Sequence, residues 1–239
     1  MRNLNLIFNK LYYSELKYRN SNKRKFDESL RGYNDEIFKA VFNKETDYAV
    51  LPFDVNSFVL KVKYPGLLIG TGNPHGTHMS DDDINMGFSF DYVTGQPYIP
   101  GSSVKGVLRS HFKDRASAVG EMIEVLFERT DIDVKALEKE IFEGTENTPR
   151  DIFFDAVVCS GDRNGRLMGT DTLAPHPSPV KSPVPIAIIK VLPQVQFEFR
   201  FILNDGILSA QDKKTLLKEL LVMFGVGAKT NTGYGIFEE

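Results

Sequence analysis

The chain has 239 residues, 41% hydrophobic and 26% charged, with a net charge of −3 and a pI near 5.9. This is enough for one domain with large insertions or two small ones, with an ordinary globular composition. It argues against a strongly basic free-standing nucleic-acid binder, a disulfide framework or thiolate zinc site, because Cys159 is the only cysteine, and a membrane span, because no apolar run reaches the roughly 20 residues required.

Residues 1–50 are expected to form an N-terminal helical extension. Phe26, Leu30, Tyr33, Ile37 and Val41 fall at helical spacing after the basic run Lys23-Arg24-Lys25. The short apolar run at Leu4, Leu6, Ile7 and Phe8 leads into charged residues with no small-residue cleavage site, so no signal peptide is read. With one cysteine, the expected location is the reducing cytoplasm. The main domain is expected over 51–239. Its first strand is Phe58–Tyr64, with Phe58, Leu60, Val62 and Tyr64 on one face, ended by Pro65-Gly66. A glycine-rich stretch (70–76), the acidic run Asp81-Asp82-Asp83 and a candidate strand at Phe88–Tyr92 follow.

The turn Thr94-Gly95-Gln96-Pro97 closes that strand, and Pro100-Gly101 stops what precedes it and opens a helix. Ser102 or Ser103 is expected to cap it, Val104, Val107, Leu108 and Phe112 to form its buried stripe, and Lys105 and Arg109, four apart, to share another face. A helix N-terminus with two hydroxyls and two cations suits a phosphate; the alternative is a plainly capped helix with solvated charges. A helical insertion is expected at about 116–145, then a largely apolar strand, Ile152–Ser160. A long loop over about 161–185 carries Arg163 and Arg166. Strands at Pro185–Leu192 and Val195–Leu203 are expected to form a hairpin around Pro193-Gln194. Ser209, with Asp212 three residues on, starts a last helix striped by Leu216, Leu217, Leu220, Leu221 and Phe224. The chain then runs through Gly225-Val-Gly-Ala-Lys-Thr-Asn-Thr-Gly-Tyr-Gly235 into a closing strand, Tyr234–Glu238. Gly225, Gly227 and Gly233 permit positive φ and close backbone approach, Lys229 adds charge, and Thr230, Asn231 and Thr232 add hydrogen-bonding groups. The spacing is neither that of a P-loop nor the dinucleotide fingerprint. The alternative is a glycine-rich hairpin without a ligand.

Stripped of insertions, the order is β-α-β-β-α-β. This predicts an α+β, ferredoxin-like (RRM-like) domain whose helices cover one sheet face and leave the other available, as in RNA-recognition modules.

Three stretches resemble one family, the repeat-associated RAMP proteins: the loop Gly225–Gly235, the segment Pro97–Arg109, similar to their IPGSSLKG-x-x-R motif, and Phe153-Phe-Asp-Ala156, similar to their FFDA strand. Within that superfamily, Asp171-Thr-Leu-Ala-Pro-His-Pro177 looks most like the sixth-subunit group of the Cmr (type III-B) CRISPR effector complexes; Ser178-Pro179 stands where that group often has tyrosines. The resemblance implies a non-catalytic backbone subunit that binds guide RNA through its sugar-phosphate chain near the 3′ end and stacks on neighbouring RAMP subunits, the RNA target being read by base pairing with the guide. Its expected RNA contacts are Ser102, Ser103, Lys105, Arg109, Arg163, Arg166 and the loop residues Gly225, Gly227, Lys229, Thr230, Asn231, Thr232 and Gly233. No cofactor, metal or membrane partner is expected.

The rival is an endoribonuclease of the same fold, with an acid–base pair drawn from His75, His78, His111 and His176, or with an acidic residue of Asp81–Asp83 on a divalent ion, as the resemblance implies. A second rival is a pure assembly module. Zinc through His75 and His78 has too few ligands.

Overall fold

The computed structural model describes residues 2–18, 21–43, 55–70, 75, 83–84, 86–173 and 186–239. The chain opens with a helical arm, α1 (Leu4–Leu6), a π-turn (Ile7–Leu11), α2 (Tyr12–Ser14) and a 3-10 turn (Glu15–Tyr18), and continues into α3 (Lys23–Phe38). β1 (Asn56–Val62) and β2 (Tyr98–Ile99) precede the helices α4 (Gly101–Asp114), α5 (Ala116–Phe127) and α6 (Val134–Glu143). Then come β3 (Ile152–Phe153), β4 (Ala156–Ser160), β5 (Met168–Leu173), β6 (Ile186–Val191) and β7 (Gln196–Ile202). The chain ends with α7 (Ala210–Phe224), a 3-10 turn (Thr230–Thr232) and β8 (Phe237–Glu238).

The fold is mixed α/β. Its main sheet has the order β2-β4-β7-β1-β8, with β3 also on β7, and every pairing is antiparallel. Side chains alternate along a strand, so Phe58, Leu60 and Val62 of β1 and Phe197, Phe199 and Phe201 of β7 share one buried face. The register sets Phe58 opposite Phe199 and Leu60 opposite Phe197. Val104, Leu108 and Phe112 of α4 and Leu216, Leu217, Leu220 and Leu221 of α7 close the same core. Burying each of these large side chains stabilises by roughly 1.5–3 kcal/mol. Ser209 caps α7, its hydroxyl accepting from the Asp212 N–H, as its spacing predicts.

The insertion helices are fastened by a buried cation. Lys213 on α7 donates from Nζ to the Asn204 carbonyl (2.7 Å) and pairs with Glu140 of α6 (3.0 Å) and with Asp151 (3.4 Å). Burial raises the Asp151 pKa, outweighing the bonds from Asn204 and the Lys213 charge. Removing one member of such a buried set costs about 3–5 kcal/mol, so α6 is held firmly.

Several expectations are corrected. β6 and β7 are not a hairpin: β6 pairs with β5 in a separate two-stranded sheet, and the chain crosses into the main sheet at Pro193-Gln194, where Gln194 has φ +73°. The strand Ile152–Ser160 is broken at Phe154-Asp155 into β3 and β4. Phe88–Tyr92 makes only the isolated bridge Phe90–Pro97. The loop expected over 161–185 contains β5; residues 174–185 lie outside the described residues. The N-terminal extension joins the main core, where Leu4, Ile7, Phe8, Ile37 and Ala40 are buried with the sheet residues.

Candidate nucleic-acid interface

The start of α4 carries four of the expected RNA contacts, Ser102, Ser103, Lys105 and Arg109. No serine caps it. Its N-cap is Pro100, whose side chain has nothing to offer, and the Gly101 N–H donates instead to Asp155 Oδ1 (2.7 Å). Gly101 is required here because a Cβ would strike the Phe153 carbonyl oxygen. The break between β3 and β4 is what brings Asp155 to this point, so a carboxylate already occupies the positive end of the helix. Ser102 and Ser103 are exposed in the first turn. Lys105 Nζ donates to the Phe142 carbonyl (3.0 Å). Arg109 pairs with Glu138 (2.6 Å) and with Glu143, both on α6. These two bonds raise the Arg109 pKa and lower that of Glu143. The shared cationic face of Lys105 and Arg109 is therefore turned onto an acidic helix. Beside it lies a cleft of about 270 Å³ lined in part by Ser102, Lys105 and Arg150. Arg150 is exposed; it belongs to no motif, and nothing in its local sequence marks it.

The glycine-rich loop is built differently. Gly225, Gly227, Gly233 and Gly235 all have positive φ, and Lys229 itself is left-handed at φ +61°. The base of the loop is a backbone seam. The Val226 N–H donates to the Gly235 carbonyl (2.9 Å), the Gly235 N–H to the Gly66 carbonyl (2.8 Å) and the Ala228 N–H to the Leu68 carbonyl (2.9 Å). A Cβ on Gly235 would run into the Val226 carbonyl oxygen. Tyr234 is buried at the base and its hydroxyl donates to Asp171 Oδ2 (2.7 Å), which also accepts from Lys190 Nζ (2.6 Å). Burial raises the Asp171 pKa, but the bonds from Lys190 and Tyr234 outweigh it and hold the carboxyl below its usual value. Burial and the same Asp171 push the Tyr234 hydroxyl up to about 12. Thus β5, β6 and residues 65–68 clamp the base, while Gly227, Lys229, Asn231 and Thr232 remain exposed at the rim and Thr230 and Gly233 are half-buried. Lys229 makes no ion pair among the described residues.

The other expected site residues lie apart from this loop. Arg163 is exposed; Arg166 is engaged by Asp162 (3.2 Å) in a tight turn and bridges Val41. His75 is buried, stacked on Phe8 at 3.6 Å, with its ring nitrogens 2.8 Å from the Ile84 and Phe8 carbonyls; burial lowers its pKa. His111 is buried against Phe224, and burial lowers its pKa too. Asp83 is buried and not a solvated acid; Asp81, Asp82, His78 and His176 lie outside the described residues. Burial pushes the Cys159 thiol up to about 11. Among the described residues no cluster of three or more His, Cys, Asp or Glu could hold a metal ion, and no helix is long and apolar enough to cross a membrane. The sheet face away from the core carries Ser57, Val59, Lys61, Gln196, Glu198 and Arg200, with ion pairs Lys61–Glu238 (3.0 Å) and Arg200–Glu198 (2.5 Å). These residues include none of the aromatics on which RNA-recognition sheets stack bases.

The loop, the α4 opening and all of the sheet but the first three residues of β1 fall inside residues 59–238, which match the RAMP superfamily model. The chain belongs to the RAMP superfamily. This RAMP protein is similar to the CRISPR system CMR subunit Cmr6 of Saccharolobus solfataricus, with 26% identity over 216 residues, 88% of this chain. It spans 64% of the length of that curated relative. It shares a fold with a chain of the type III-B Cmr-beta bound to cognate target RNA, at TM-score 0.54 and 23% identity, covering 96% of this chain and 72% of that one. Cmr6 from Pyrococcus furiosus aligns at TM-score 0.47 and 22% identity, covering 78% of this RAMP chain and 99% of its own.

Proposed function

We propose that this RAMP protein is a non-catalytic backbone subunit of a type III-B CRISPR effector complex, a counterpart of Cmr6. It holds the guide RNA by its sugar-phosphate chain near the 3′ end, beside other RAMP subunits, in the cytoplasm. The observation that carries this reading is the clamped glycine-rich loop: a rigid base and an exposed rim that presents Lys229 and Asn231 to phosphate and ribose oxygens, with the Thr232 hydroxyl bonded back to the Lys229 carbonyl (2.9 Å). The likeness to Cmr6 supports the choice of complex. The strand order, with β4, β7, β1 and β8 adjacent and α4 and α7 on one face, supports reading the core as ferredoxin-like. Ser102, Lys105 and Arg150 around the α4 cleft offer a second, weaker contact. Arg109 and Arg166 contribute little, because carboxylates already hold them.

The test is labelled single-stranded guide-like RNA with the purified chain and magnesium, run on native and denaturing gels. Intact, retarded RNA is expected. Lys229→Ala is expected to weaken binding evenly across RNA sequences and to lower the slope of log affinity against log salt by about 0.7. Shortened RNA would overturn the non-catalytic assignment, and unretarded RNA the RNA-binding one.

A further inference from the structure

Tyr64 is 84% exposed at the turn that follows β1. That turn is sewn to the glycine-rich loop on both sides. The Lys63 N–H donates to the Ile236 carbonyl (2.9 Å), and the Gly66 carbonyl accepts from the Gly235 N–H (2.8 Å). The loop rim lies near the Tyr64 turn, since a Cβ added at Gly233 would come to 3.5 Å from Pro65 Cδ. Lys63, next to Tyr64, is exposed, as is Lys229 on the rim. Among the described residues the Tyr64 ring stacks on no other ring and lies under no cation, though it is near enough to Tyr234 at the loop base to help raise that hydroxyl's pKa. An open aromatic face next to one exposed lysine, on a turn bonded to a loop whose rim carries another, is a combination that suits single-stranded nucleic acid, with the base on the ring and the phosphates on the cations.

We propose that Tyr64 is a stacking platform for one unpaired nucleobase of the RNA strand whose phosphates follow Lys63 and Lys229; this rests on the RNA-binding reading above. Exposure alone does not make the argument. Tyr92 is equally exposed, but it adjoins Asp91 and the N-terminal arm, whose Asn3 side chain donates to the Tyr92 carbonyl (2.9 Å). A phosphate there meets a carboxylate, so Tyr92 serves as the internal control.

The experiment measures, by fluorescence anisotropy, the affinity of the full chain for a labelled oligouridylate and for an abasic ribose-phosphate oligomer of the same length. The oligouridylate is expected to bind about tenfold more tightly. That preference is expected to vanish in Tyr64→Ala and to persist in Tyr64→Phe and Tyr92→Ala. Because Tyr64 is on the surface, all variants should melt like the parent. Equal binding of the two oligomers, or a preference that survives Tyr64→Ala, overturns the stacking site while leaving backbone binding intact. Failure of the parent to bind either oligomer overturns the RNA-binding reading and the stacking site with it.

Discussion

The start of α4 and the glycine-rich loop look alike on paper: glycine, small hydroxyls and a basic residue in a short span. In the folded protein they are opposites. At α4, Asp155 fills the helix end, the Phe142 carbonyl holds Lys105, and Glu138 and Glu143 hold Arg109. At the loop, the polar clamp of Tyr234, Asp171 and Lys190 lies at the base, and Lys229 is left at the rim. The difference teaches that the charge available to a ligand is set by distant partners and not by composition. It also explains how a chain of net charge −3 can present a local cationic rim.

The largest expected effect tests the rigidity of the loop base. Gly235→Ala places a Cβ against the Val226 carbonyl at φ +69° and should destabilise by about 3 kcal/mol. Gly106→Ala within α4 has nothing within 4 Å of the new Cβ and should be neutral or stabilise by up to about 1 kcal/mol; thermal melts of the pair decide it. Equal melting temperatures would mean that the loop base is not rigid.

A smaller effect would convert one region into the other. Glu138→Gln with Glu143→Gln removes both charges that hold Arg109, so α4 should gain a free cation. RNA affinity is expected to rise about tenfold, with a steeper salt dependence in titrations at several ionic strengths. Unchanged affinity would show that RNA does not pass this helix.

The smallest effect concerns the clamp. The folded-state pKa of Asp171 is depressed, so its contribution is present above the unfolded value of about 3.9 and is lost as pH falls through the lower folded value. Asp171→Asn should cost about 1 kcal/mol at pH 7, since the group is partly exposed. Urea melts should show the gap between variant and parent shrinking below about pH 4. A gap independent of pH would exclude the carboxylate as its source.

Much of the frame was legible from local pattern. The alternation in β1 and β7, the apolar stripes of α4 and α7 and the Ser209 cap depend on neighbours a few residues apart. What was not legible depends on distant neighbours. The residues holding Arg109 lie 29 and 34 positions away, and Asp155 lies 54 from Gly101. β5 was hidden because Gly169 and Asp171 dilute its strand propensity, and it forms by pairing with β6 across residues 174–185. In the N-terminal arm, Leu4, Ile7 and Phe8 carry helical spacing, but so short an apolar run does not announce the distant surface that buries it. Of the expected RNA contacts, the loop rim kept its exposure, whereas the cations of α4 did not.

The arm also bears on how the protein is made. Asn3 bonds to Tyr92 and Val93, 89 and 90 positions on, and Tyr12 receives the Ile84 N–H from 72 positions on. β1 finds its partners only at β7 and β8. During synthesis, at about 5–20 residues per second, these helical turns are made several seconds before the segment that receives them. β1, an interior strand of the sheet, waits more than 130 residues for both of them. Such late closure makes folding slow, and the apolar residues Leu4, Ile7 and Phe8 stay uncovered by that segment for the interval.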